Sequence, residues 1–235
     1  MSRPKPRSRQ TTTSTIAIAA LAACLVTPAR AACSDGPGIG VDWSGCIKMS
    51  KVLAGDALRD ARFVRADLSR SNFEGADLTG ANFTKANLTA AILRGADLTR
   101  ANLSGAFGTR AYMNGALFRD ANLAKAEFFR ADMAGADFTA ANLNGAQLSR
   151  GVLEGASLDR VDARNVNLSR ARLAGASLDG TNLENAYLYR TYLEGVDLSR
   201  TMGLTEGQLR GACGNANTRL PPGLTAPEEW PCGSD

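Results

Sequence analysis

The sequence predicts a solenoid, a rod wound from short similar coils. Two observations predict it. From Leu53 to Leu198 a leucine, phenylalanine or methionine recurs at every fifth residue, and only Gly108 and Ala163 interrupt the thirty positions. The residue two before each is nearly always small, as at Ala61, Ala66, Ala76, Ala81 and Ala86. An amphipathic strand repeats with period 2 and a helix with period 3.6, so neither yields a period of five. A fixed internal repeat marks a stacked architecture in which each unit buries its apolar side chains against the next.

Ala66-Asp67-Leu68-Ser69-Arg70 and Ala101-Asn102-Leu103-Ser104-Gly105 are close copies of the pattern A-(D/N)-L-x-x. In these tandem pentads the chain resembles the pentapeptide-repeat family. The resemblance implies an all-β fold, a right-handed quadrilateral β-helix with one pentad per side and four pentads per coil. The central Leu or Phe and the small residue two before it would point inward, and the other three outward. The sequence carries its own mark of such a coil. Gly55, Gly75, Gly95, Gly115, Gly135, Gly155, Gly175 and Gly195 end their pentads at a spacing of twenty, whereas only four of the other twenty-two pentads end in glycine. Glycine suits a tight turn. Asn82, Asn102, Asn122 and Asn142 repeat at the same spacing, as does Asn182. Thirty pentads make seven and a half coils, a rod of roughly 36 Å at about 4.8 Å per coil.

The ends read differently. Arg3, Lys5, Arg7 and Arg9 precede an uncharged run from Ile16 to Val26, and Ala29-Arg30-Ala31 follows. That run is shorter than the ~20 residues that span a bilayer. Basic, apolar and small segments in this order form a secretory signal peptide, with cleavage expected after Ala31. Leu21-Ala22-Ala23-Cys24 is a competing site, resembling a lipobox that would lipidate Cys24. The expected location is periplasmic or secreted, or membrane-anchored if Cys24 carries lipid. Residues 1–31 are thus read as the signal peptide, 32–50 as an N-terminal cap, 51–202 as the solenoid and 203–235 as a C-terminal cap.

Beyond the signal peptide stand Cys33 and Cys46 at one end and Cys213 and Cys232 at the other, with none between. An oxidising compartment would let each pair close, and a loop of that size contributes ~3 kcal/mol. The spacings do not match a zinc ribbon. Trp43 is expected to cover the first coil. Thr205-Glu206-Gly207-Gln208 reads as a capping box opening a helix to about Ala212. Leu220-Pro221-Pro222-Gly223-Leu224 and Trp230 then return in extended form. The Gly-Leu-Thr, Gln-Leu and Ala-Cys-Gly order of this tail resembles other bacterial pentapeptide-repeat proteins.

The chain has no histidine, which removes the commonest general base and zinc ligand. No acid pair stands out from the solvated acids of the repeat, and no cofactor or metal motif is present, so the chain is read as no enzyme. Its formal net charge of +4 signals no general attraction to nucleic acid. The candidate binding residues form a ladder: Arg110, Arg130, Arg150, Arg170 and Arg190, one per coil. Tyr112, Phe129, Tyr189 and Tyr192 flank it, with Ile92 and Val152. Guanidinium groups beside aromatics suit a binding surface. The competing reading is that Asp132, Glu154 and Glu194 neutralise the ladder. Gly108, beside Phe107, is expected either to bulge into a recess or to be neutral drift.

The leading expectation is an exported structural or interaction module that binds a protein or an anionic envelope polymer through its outer faces. A membrane partner is expected only with lipid on Cys24, and pairing of two copies is compatible with the pattern. The alternative is a DNA mimic, as in pentapeptide-repeat proteins that protect DNA gyrase from quinolones. Those carry acidic surfaces and act in the cytoplasm, so the signal peptide and the arginines argue against it.

Overall fold

The computed structural model describes Met1 and residues 33–230. The expected signal peptide, its cleavage site and Cys24 lie outside the described residues, and so does Cys232. From Asp42 the backbone repeats one conformation every five residues, a bridging residue followed by a turn. Each bridge is parallel and, up to Asn182 to Met202, joins residues twenty apart, as in Asp42 to Arg62, Asp67 to Asn87 and Asn142 to Asp162. With a bridge every five residues, a coil has four sides. Side one is centred on Leu53, Phe73 and Leu93, side two on Leu58, Leu78 and Leu98. Side three follows Phe63, Phe83 and Leu103, and side four Leu68, Leu88 and Gly108. The β-helix is therefore built from isolated bridges, because each side turns after a single paired residue.

One pentad shows where every backbone donor goes. Ala66 N–H donates to Phe63 O at 3.0 Å, closing the turn, and Asp67 N–H reaches back one coil to Cys46 O at 2.9 Å. Leu68 and Arg70 donate forward to Asn87 O and Thr89 O, each at 2.9 Å. Only Ser69 N–H lacks a backbone acceptor, and the Asp67 carboxylate takes it at 3.0 Å. The same contact recurs at Asn82, Asp97, Asn102, Asp137 and Asn182. This is why the second residue of the repeat is Asp or Asn: a short side-chain oxygen meets the amide two residues on.

The fifth residue of the pentad sits at a corner with positive φ. Gly135 has φ 65° and Arg130 φ 56°, and eighteen non-glycine residues share this geometry. Glycine relieves the strain at every position of one corner only, the one between sides one and two. The other three corners hold glycine at only a few coils and elsewhere place arginine, lysine, aspartate, asparagine, serine or alanine in a region disfavoured for L-residues.

Inside, side chains stack along the axis at the coil spacing. The Phe63 and Phe83 rings lie 4.8 Å apart, and Phe118 and Phe138 lie 4.8 Å apart and 3° from parallel. The two interruptions of the repeat are packing solutions. Gly108 makes no bulge, for Phe107 bridges both Asn87 and Glu127. Instead Phe128 of the next coil fills its place, and a Cβ on Gly108 would lie 2.1 Å from that ring. Ala163 is flanked by Val161 and Val166, both buried, where the repeat elsewhere prefers alanine. Where a hydroxyl replaces an inner alanine it finds a carbonyl one coil back: Thr191 Oγ1 donates to Leu168 O and Ser71 Oγ to Lys48 O, both at 2.8 Å.

Both ends are covered. Trp43 is buried, 5.7 Å from Phe63, and already lies in the register of the coils. Lys48 occupies the next core-directed position, with its amine 4.0 Å from the centre of the Trp43 ring. Cys33 and Cys46 form a disulfide that ties down the segment leading into this coil. At the other end α1, Glu206–Arg210, starts at a capping box on Thr205 and stops short of the expected Ala212. Gln208 of that box also donates to Leu183 O at 2.8 Å and Ala186 O at 2.9 Å, satisfying carbonyls of the last coil. Trp230 donates its indole N–H to Ala212 O at 2.8 Å. Cys213 is disulfide-bonded.

The ladder has one gap among the described residues. Ser157 bridges Ser177, but Ser177 has no bridge to Asp197, and a cleft of about 430 Å³ opens there between Gly175 and Arg200. Two measurements follow from this packing. Hydrogen exchange at Leu178 and Gly180 should be faster than at Leu158 and Arg160, one coil earlier, and equal protection would mean the gap closes in solution. Gly108→Ala should lower unfolding free energy by about 1–3 kcal/mol through overpacking, and Phe128→Leu should recover part of that loss in a urea double-mutant cycle.

Candidate functional site

The corner between sides four and one carries Arg110, Arg130, Arg150, Arg170 and Arg190, all at φ 55–59°. Successive coils place them in a straight row about 4.8 Å apart. Among the described residues, none of Arg110, Arg130, Arg150 and Arg170 forms an ion pair. The acids expected to neutralise the row do not do so. Glu154 pairs with Arg172 at 2.7 Å, and Asp132 accepts the Ala134 N–H at 3.3 Å. Glu194 forms no ion pair among the described residues either.

Arginines elsewhere behave differently. Arg59 meets Asp77 at 2.9 Å, Arg119 meets Asp137 at 2.5 Å and Arg164 meets Asp162 at 2.8 Å. Hydrogen bonds from the Arg164 side chain lead in holding the Asp162 carboxyl below the usual aspartate value, against the opposing effect of partial burial. For Asp137 burial is the largest influence and pushes upward, but Thr139 and Arg119 together bring the carboxyl down. Depressed carboxyls contribute stability that is whole above the unfolded value of 3.8 and is lost as pH falls through the folded one. These pairs are exposed or half-exposed and contribute little each. Their meaning is that Asp77, Asp137 and Asp162 are already engaged away from the row.

Exposed apolar side chains gather at the same corner. Ile47, Phe107 and Tyr187 lie on side four at the bridging position, and Met49 and Tyr189 lie two residues on. Val52, Tyr112 and Tyr192 take the bridging position of side one. These eight are all the exposed large apolar residues between Ile47 and Tyr192. Six of them stand where the repeat calls for Asp or Asn, so the local turn loses its side-chain acceptor. The Tyr187 and Tyr189 rings are near-parallel, with centres 6.2 Å apart and planes 17° from parallel. Arg94 lies over the Tyr112 ring at 5.1 Å.

Of the flanking residues expected from the sequence, Tyr112, Tyr189 and Tyr192 are exposed beside the row, while Phe129, Ile92 and Val152 are half-buried. Ile47, Met49, Val52, Phe107 and Tyr187 are not among those expected. Aligning the chain at a spacing of twenty places them in the same columns. A recess of about 380 Å³ opens beside Glu154, Arg172 and Tyr192, and one of about 290 Å³ lies between Tyr187, Tyr189 and α1. Among the described residues no group of His, Cys, Asp and Glu is placed to hold a metal ion.

The model of the family described as pentapeptide repeats matches eight copies in overlapping segments that run from residue 58 to residue 201. Among solved structures, the chain is similar to HetL, a pentapeptide-repeat protein involved in heterocyst differentiation regulation from the cyanobacterium Nostoc sp. strain PCC 7120. The identity is 27% over 79% of this chain and 91% of that one, with a TM-score of 0.50. A trypsin-treated QnrB1, a plasmid-mediated fluoroquinolone resistance protein, is similar in fold at 21% identity over 79% of this chain and 92% of that one, with a TM-score of 0.67. No curated protein sequence matches.

The corner geometry separates conformation from function. Gly135 has φ 65° and open space where a Cβ would stand, so Gly135→Ala should cost about 1 kcal/mol in chemical denaturation through backbone strain alone. Arg130→Gly relieves that strain at an equivalent corner and should leave stability unchanged or raise it by up to about 1 kcal/mol. A clear loss of stability in Arg130→Gly would show the row to be a structural support.

Proposed function

This chain belongs to the pentapeptide-repeat family, and we propose that it is an exported, non-enzymatic binding module that holds an anionic partner along its arginine corner. The right-handed, four-sided winding that membership implies makes the outer corners the surfaces available to a partner. One observation carries the reading: a straight row of guanidinium groups, four of them outside any ion pair among the described residues, lies between two sides that hold the exposed apolar residues of the coils. Like charges in a row repel one another, and an anion relieves that repulsion. Aromatics and arginine are the residue types that carry binding energy at interfaces.

Export is supported by the order of basic, apolar and small segments in residues 1–31 and by the Cys33–Cys46 disulfide, which suits an oxidising compartment. Mimicry of DNA, the alternative reading, needs an acidic surface, and this corner has the opposite sign.

Intact-mass measurement of the protein from a fractionated bacterial host tests the export half. We expect a chain beginning at Ala32 that gains two hydrogens for each of two disulfides on reduction. A lipid-modified chain beginning at Cys24 would move the same surface to a membrane. An uncleaved, fully reduced cytoplasmic chain would overturn export. For the binding half, Arg130→Glu with Arg150→Glu should abolish capture of anionic polymers while thermal stability holds, and unaltered capture would remove the row from the interface.

A further inference from the structure

Resting on the reading of this corner as an anion-binding surface, we infer that its occupant is a linear acidic polysaccharide lying parallel to the solenoid axis. The row fixes what the partner must look like. It offers one guanidinium per coil in a single column, about 4.8 Å per step, from Arg110 to Arg170. A matching partner needs anions at that spacing or a multiple of it, in an equally straight line. A linear polyuronate advances by roughly one coil per ring and turns as it goes, so alternate carboxylates face the row and meet alternate arginines. Each of those carboxylates can then take a forked pair of hydrogen bonds from one arginine.

The neighbours of the row fit a sugar chain. Tyr187 and Tyr189 present two near-parallel, exposed rings. The axial C–H groups of a pyranose ring stack on such a surface, burying apolar area while the hydroxyls stay at the rim. Phe107 and Tyr112 offer rings on both sides of Arg110, four coils away. Acids are present as well: Glu127 and Asp132 stand beside Arg130, and Glu154 and Glu194 line the recess with Tyr192. A carboxylate accepts hydrogen bonds and donates none when ionised. It can therefore hold a sugar hydroxyl, which every ring of the polysaccharide supplies.

Other occupants fit less well. A duplex places its phosphates on a helical path that leaves a straight row after a few steps. Two copies of this chain packed antiparallel along the corner would set Ile47, Met49 and Val52 of one against Tyr187, Tyr189 and Tyr192 of the other. That arrangement brings the two arginine rows face to face, where they repel. A single DNA strand satisfies the rings and the arginines but brings no sugar hydroxyls along its length for the acids to hold.

The test uses the purified full-length chain and isothermal titration calorimetry with four probes: oligogalacturonates of increasing length, their methyl esters, oligo-dT and poly-glutamate. We expect binding to oligogalacturonate that tightens with each added residue until the arginine row is filled, and that is lost in the methyl ester. Arg130→Glu with Arg150→Glu should weaken it at least about tenfold, and so should Tyr187→Ala with Tyr189→Ala, each with an unchanged circular dichroism spectrum and melting temperature. Tighter binding of oligo-dT or poly-glutamate, sensitive to the same arginines, would overturn the polysaccharide and leave the anionic corner standing. Binding unchanged by the tyrosine pair would also overturn it. Failure of all four probes would sink the anion-binding reading itself.

Discussion

The structure depends on one backbone amide. In each pentad four of the five N–H groups find carbonyls by repetition alone, in the turn or in the adjacent coils. The fourth residue's amide has none, because the chain turns there and no coil lies beyond the corner. An Asp or Asn two residues earlier supplies the acceptor, as Asp67 does for Ser69 and Asn102 does for Ser104. An unpaired amide facing water costs little, so the rule tolerates exceptions on the surface. That tolerance makes its exceptions informative.

The axis obeys a stricter rule. The coil spacing sets the stacking distance of Phe63 on Phe83, and no coil can widen without stretching its neighbours' hydrogen bonds. Volume must balance locally. Phe128 takes the space Gly108 leaves, and Val161 with Val166 make up for Ala163. The ends balance donors and acceptors in the same local way. Gln208 completes the capping box of α1 and also serves two carbonyls of the coil beneath it. Where two successive coils do not bridge, as between Ser177 and Asp197, a cleft opens.

Much of this is legible in the chain. The inward residues, the twenty-residue coil and the capping box at Thr205 follow from spacing, since each depends on a regular offset between residue types. The reason for glycine at one corner is only half legible: every corner has positive φ, and the sequence marks just the one where glycine relieves it throughout. Gly108 reads as a candidate bulge because the ring that fills its place comes from the next coil, twenty residues away. Neutralisation of the arginine row by nearby acids is also a reading from proximity along the chain. Glu154 is drawn instead to Arg172, one coil on, where the side chains lie next to each other. The exposed residues from Ile47 to Val52 do not stand out in the sequence because they precede or open the region where the repeat is regular.

The arginine corner combines two departures from what the fold prefers. Its fifth-position residues hold a backbone conformation that glycine would relieve, and the next corner shows that glycine is accepted at every coil. Several of its bridging residues replace the useful Asp or Asn with tyrosine, phenylalanine, isoleucine or valine, which return nothing to the turn. Arg65, Arg100 and Arg160 at the other corners carry the same strain, so strain alone does not single this corner out. The combination does: a run of arginines of which Arg110, Arg130, Arg150 and Arg170 form no ion pair among the described residues, and exposed apolar side chains on both adjoining sides. A local rule broken repeatedly in one place, with no gain to folding in sight, is best explained by what the place binds. The rigid coil then contributes what a flexible loop lacks, because it presents charges at a fixed interval without ordering cost when a partner of matching interval arrives.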